Sequence, residues 1–199
     1  MTTDLLAAIG ALAVLTVLPG PDVAVVTRVA LERGRSSAVR TALGIVSGLL
    51  VWGVLTVGGL SAVLAASATA YTVVKVAGGL FLVWLGLRTL LGHGAPDARR
   101  VTTHPWRTGF VSNVLNPKIA AFYTGLLPQL VPDGAPHAAT LAGLVLAHAV
   151  LSLAFLSLYA AALTRASDLL RRPRVRRWLD RVSGGVLVAF GVRVATAAR

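Results

Sequence analysis

Leu18-Pro19-Gly20-Pro21-Asp22 interrupts an apolar run that extends from Leu5 to Val26, and the reading of that interruption decides the fold. A proline inside a helix removes a backbone donor and costs about 3 kcal/mol or more. Here two of them flank a glycine. In hydrocarbon the freed carbonyls find no water, so such a break is tolerated only inside the protein or against a wet cavity. Asp22 sharpens the point, because an acid at the bilayer centre costs about 2.5–3.5 kcal/mol on insertion scales and so needs a partner or a task.

The rest of the chain establishes that the bilayer is the relevant solvent. The 199 residues are 56% hydrophobic and only 13% charged, with a mean hydropathy of +0.78, whereas soluble domains are near 25% charged. Six apolar stretches are long enough to cross a membrane: residues 5–27, 41–65, 71–91, 108–131, 138–163 and 182–198. The expected fold class is therefore an all-α integral membrane protein of about six transmembrane helices, with helices 1 and 4 broken, in a single membrane-embedded domain over 1–199. Met1-Thr2-Thr3-Asp4 has no basic n-region and the run behind it outlasts a signal-peptide core, so the first stretch is expected to be a retained helix.

The net charge of +12 does not call for nucleic acid, since the arginines lie between the apolar runs. The first, third and fifth connections are arginine-rich and the second and fourth have no basic residue. By the positive-inside rule this puts the odd-numbered loops in the cytoplasm and both termini outside, with Arg193 and Arg199 pulling the other way. The basic stretch from Arg171 to Arg181 is a topology signal or a contact for lipid headgroups. The absence of cysteine excludes a disulfide framework, a thiolate metal site and a thiol relay.

The two halves of the chain resemble each other. Lys75 to Arg88, containing Gly78-Gly79, reads against Arg181 to Arg193, containing Gly184-Gly185, and the Pro19-Gly20-Pro21 break faces Asn116-Pro117 in span four. A repeat of three spans must enter the membrane from opposite sides, which gives two inverted three-helix repeats, about 1–92 and 106–199, the design of many secondary transporters.

Span four carries Asn113-Val114-Leu115-Asn116-Pro117-Lys118: two amides, a helix breaker and one of the two lysines in the chain. Lys118 is open to three readings, as a partner for Asp22, as a group for a substrate carboxylate, or as a snorkelling interfacial cation. Asp22 is open to substrate ammonium binding, proton carriage, or capping of the half-helix that starts at Val23. A carboxylate and an ammonium at two helix breaks complement a zwitterion such as a free amino acid. His148 is a candidate proton relay or a hydrogen-bonded packing residue. Gly44 and Gly48 mark a close helix contact with Trp52 packing nearby, and Trp106 suits an interfacial anchor.

With these residues in view, the chain resembles the lysine exporter superfamily of bacterial transporters, in the branch that exports homoserine, threonine and neutral amino acids. The marks are Pro19-Gly20-Pro21-Asp22, Gly44 and Gly48, Gly78-Gly79 with Trp84-Leu85-Gly86-Leu87-Arg88, and Gly109-Phe110 leading to Asn113, Asn116-Pro117-Lys118 and Leu127-Pro128-Gln129. The resemblance implies export of an amino acid or small amine across the bacterial cytoplasmic membrane, driven by the proton gradient, with no cofactor. The substrate-binding or coupling residues expected are Asp22, Lys118, Pro19, Gly20, Pro21, Asn113, Asn116 and Pro117. A neutral substrate is favoured, because Asp22 leaves no second acid for a lysine side chain. Inorganic cation efflux lacks clustered ligands in the spans. An enzyme lacks a nucleophile motif around Ser47, Ser112 or Ser152. A non-transporting scaffold subunit would tolerate isosteric replacement of Asp22 and Lys118.

Overall fold

A computed structural model describes residues 2–18, 20–60, 104–132 and 134–165, with isolated positions between 67 and 91 and between 178 and 196. Pro19, about half of the third expected span, most of the sixth, most of the Arg171–Arg181 stretch and about half of the segments compared between the halves lie outside the described residues. The described residues are helical, with no strand among them. Helix α1 spans Thr2–Val17, α2 Pro21–Leu55, α3 Pro105–Val114, α4 Pro117–Ala121 and α5 His137–Arg165.

Both expected breaks are present, and proline makes each of them. The last bond of α1 runs from Leu18 N–H to the Val14 carbonyl. Gly20 is then extended (φ −159°, ψ −169°), and α2 starts with Pro21 at its first position. There the missing N–H costs nothing and the fixed φ suits the helix. The second break repeats the device: α3 ends at Val114, Asn116 is extended (φ −78°, ψ 109°), and Pro117 opens α4.

Helix α2 is a hairpin of two limbs. Gly34 has φ 77° and ψ 179°, a left-handed value that glycine adopts without steric cost. Asp22 accepts a hydrogen bond from Asn113, and a Cβ on Gly48 would lie 2.7 Å from the Oδ1 of the same asparagine. Positions 22 and 48 would stand about 39 Å apart on an unbroken helix, so the chain doubles back at Gly34. The connection expected between the first two spans is thus tighter than the charge run Arg33-Gly34-Arg35 suggests: one residue turns the chain and both flanks stay helical. The second limb continues into a π-helical turn, Thr56–Leu60, and α4 into another, Phe122–Leu126, followed by a 3₁₀ turn at Leu127–Leu130.

The second limb of α2 crosses α3 at backbone contact. A Cβ on Gly44 would run into the Trp106 carbonyl, and one on Gly109 into the Thr41 carbonyl. Small residues at a membrane-helix crossing let dispersion and backbone contacts replace the hydrophobic drive that lipid cannot supply. Gly44→Leu is therefore expected to abolish folded protein, read as loss of the monodisperse peak in detergent size exclusion; a normal peak would show that the crossing is dispensable.

The burial pattern is that of a membrane protein. Asp22, Asn113, Asn116, Lys118, His148 and Ser152 are buried, while Leu146 (59%), Val150 (68%) and Leu158 (71%) of α5 are exposed. The 29 residues of α5 measure about 43 Å, ample for the hydrocarbon core. By length and composition α5 and the α2 region are apolar enough to cross a membrane.

Candidate functional site

The two breaks meet. The first turn of α2 carries Asp22, 8% exposed, and the end of α3 with the start of α4 surrounds it. Asp22 Oδ1 accepts from Ser112 Oγ at 3.2 Å. Its Oδ2 accepts from Asn113 Nδ2 at 2.8 Å and from Asn116 Nδ2 at 2.9 Å. The carboxylate thus spends its bonds across the gap on the second break rather than on the amides of its own helix, although its place at the α2 N-terminus also favours the negative charge.

Asn116 ties the breaks together. Its Oδ1 accepts from the Lys118 N–H at 3.0 Å, capping α4, while its Nδ2 holds Asp22. With a donor on one side and a carboxylate on the other, its amide orientation is fixed by chemistry.

Lys118 sits in the first turn of α4 and is 5% exposed, so its ammonium does not snorkel to the interface. Nor does it contact Asp22 directly. Its Nζ donates to the carbonyls of Leu18 at 3.0 Å and Leu15 at 3.4 Å, acceptors that the C-terminal end of α1 leaves open. The negative end of a helix and a buried cation stabilise each other, and the Lys118 charge still attracts Asp22 across the site. A Cβ on Gly20 would lie 3.1 Å from Nζ, so the extended glycine is the wall beside the ammonium.

Of the residues expected from sequence, Asp22, Asn113, Asn116 and Lys118 converge, with Gly20, Pro21 and Pro117 shaping the breaks. His148 of α5 shares none of these hydrogen bonds: it is 1% exposed, its Nδ1 lies 3.2 Å from the Tyr123 hydroxyl, and its ring packs on Phe122 and Tyr123. Ser112 escaped the sequence reading as a site residue, although its adjacency to Asn113 and its spacing of four from Asn116 put all three at one end of α3. Tyr123 was masked by its aromatic neighbours in an apolar stretch. Its carbonyl accepts from Thr56 Oγ1 at 3.4 Å, linking the two π-helical turns.

Counting capacity shows what the site can still bind. A carboxylate offers about four acceptor positions and an ammonium three donors. Asp22 uses three acceptor positions and Lys118 two donors, so each retains one. The uncommitted acceptor and donor are complementary in charge to an ammonium and a carboxylate.

A family model described as LysE type translocator matches residues 13–198. Similar proteins include a threonine efflux protein of Salmonella typhi, 27% identical over 185 residues that cover 88% of this chain and 89% of the relative. The uncharacterized membrane protein YrhP of Bacillus subtilis is 27% identical over 96% of this chain and 97% of its own. A homoserine/homoserine lactone efflux protein of Salmonella typhimurium is 24% identical, covering 92% of this chain and 91% of the relative. No solved structure matches.

Proposed function

The chain belongs to the LysE type translocator family, and from that premise we propose that it exports an amino acid or related small amine across the cytoplasmic membrane, driven by the proton gradient. The observation that carries this reading is the buried pair of helix breaks that leaves one acceptor on Asp22 and one donor on Lys118. In this reading the substrate ammonium binds Asp22 and its carboxylate binds Lys118. Asn113 and Asn116 orient the carboxylate of Asp22, and Pro19, Gly20, Pro21 and Pro117 keep the helix ends open. The names of the threonine and homoserine relatives favour a neutral substrate of that size, with leucine in the same class.

The same proposal extends to the architecture and the coupling. Six spans in two inverted three-helix repeats, with both termini outside, account for two broken helices built on the same proline device. A site between inverted repeats near the bilayer midplane suits alternating access. His148 with Tyr123 lies on a different element and is the candidate for proton relay, with the proton as coupling ion.

The test is efflux of preloaded labelled amino acids from proteoliposomes under an imposed proton gradient. The expected result is export of one class of neutral amino acid, accelerated when the gradient is imposed and collapsed by a protonophore. Flux of no amino acid under any gradient would overturn the reading.

A further inference from the structure

The two oxygens of Asp22 are held differently. Oδ2 accepts from two amide nitrogens, Asn113 Nδ2 at 2.8 Å and Asn116 Nδ2 at 2.9 Å, which fills both of its lone pairs. An amide nitrogen donates and does not accept, and Asn116 cannot turn its oxygen toward Asp22 because that oxygen caps the Lys118 N–H. A proton on Oδ2 would therefore point at a donor. Oδ1 has a single partner, the Ser112 hydroxyl at 3.2 Å, which is long for a hydroxyl on a carboxylate, where about 2.5–2.7 Å is usual. One lone pair of Oδ1 is uncommitted and the other is loosely held.

Ser112 is also the partner whose bond to Asp22 can be reversed. A hydroxyl both donates and accepts, so a protonated Oδ1 donates to Ser112 Oγ where the charged Oδ1 accepts from it. The hydrogen of Ser112 then needs another acceptor, and a helical hydroxyl reaches the carbonyl four residues back. Thr16, Thr41, Ser47 and Thr124 make that bond in this chain at 2.8 to 3.0 Å, whereas Ser112 gives its hydrogen to Asp22. Its own fourth residue back is Thr108, inside α3. Asp22 thus has a charged and a neutral bonding arrangement that differ by the turn of one hydroxyl, with both amide bonds kept.

Among the described residues, the charged side chain that acts on Asp22 is Lys118 of α4. The arginines of α2 and α3, with Glu32, are exposed. Helix α1 faces the site with the carbonyls of Leu15 and Leu18, and His148 of α5 bonds to Tyr123.

We propose that Asp22 Oδ1 is the exchange point of the transporter, holding either the substrate ammonium or a proton and never both. This rests on the export reading above and specifies its coupling. Either ligand takes the negative charge of the same oxygen, so by linkage each lowers the affinity for the other by the same factor. No proton passes between substrate and protein: the ammonium leaves with its three hydrogens, and the proton that replaces it is released on the cytoplasmic side when the next amino acid binds. His148 then conducts protons without holding the one that is exchanged.

The experiment measures binding of labelled threonine to the purified wild-type chain in detergent between about pH 5 and pH 7, where the charges of threonine itself stay fixed. Threonine affinity is expected to fall as the pH falls, approaching about tenfold per pH unit, and threonine added in weak buffer at the acid end is expected to release protons, approaching one for each threonine bound. A monodisperse His148→Gln protein is expected to keep the release. Threonine binding with the same affinity across this range and no proton release would overturn the inference while leaving amino-acid export standing. Loss of the release in a monodisperse His148→Gln protein that still binds threonine would move the exchange to the histidine and overturn it as well. Binding and export of no amino acid by the wild type would remove both readings together.

Discussion

Asp22→Ala lowers amino-acid efflux from proteoliposomes roughly a hundredfold, the equivalent of about 2.7 kcal/mol at about 1.4 kcal/mol per decade. The alanine strands three donors, Ser112 Oγ, Asn113 Nδ2 and Asn116 Nδ2, and leaves the buried Lys118 charge without its counterpart. Breaking a buried charged network by removing one partner is worth about 3–5 kcal/mol, so some of the loss appears as reduced stability. Asp22→Asn separates the two contributions. Its side chain fills the same volume but offers one acceptor oxygen to three donors and carries no charge, so folded protein is recovered while flux stays low. Wild-type flux in the alanine variant at matched protein would remove Asp22 from the site.

The second large effect belongs to Lys118. Lys118→Met preserves the apolar stem and deletes the ammonium, so the carbonyls of Leu15 and Leu18 lose their donor and the substrate carboxylate loses its cation. Efflux is expected to fall by a factor comparable to that for Asp22→Ala, about 30- to 100-fold for a charge-assisted bond. The discriminating readout is inhibition by an amino-acid amide, which keeps the ammonium but has no carboxylate. Against the wild type the amide competes poorly with the amino acid; against Lys118→Met the two compete alike. If the amide remains the weaker competitor in the variant, Lys118 serves the end of α1 and not the substrate.

The helix breaks were legible in the sequence because their cause is local. Pro21 and Pro117 lack an N–H wherever they stand, and Asn116 before a proline is pushed out of the helical region. Asp22, Asn113, Asn116 and Lys118 stood out because polar groups in apolar runs need a reason. What each of them bonds was not legible. The partners of Lys118 are backbone carbonyls about 100 positions earlier in the chain, and every residue carries such a carbonyl, so no residue type announces them. The hairpin at Gly34 reads from sequence as an ordinary basic loop, since composition shows where a chain turns but not how few residues it needs. The π-helical turns at Thr56 and Phe122 left no mark, because one extra residue per turn barely disturbs an apolar pattern.

The amide of Asn116 has a mechanical consequence. Its oxygen is committed to the start of α4 and its nitrogen to the carboxylate on α2, so reversing it would set oxygen against carboxylate and NH₂ against N–H. The side chain has one permitted state, not two. Two chain interruptions more than 90 residues apart in sequence therefore meet on a single amide, and a displacement of one against the other breaks its bond to Asp22 while the cap on the Lys118 N–H travels with the second break.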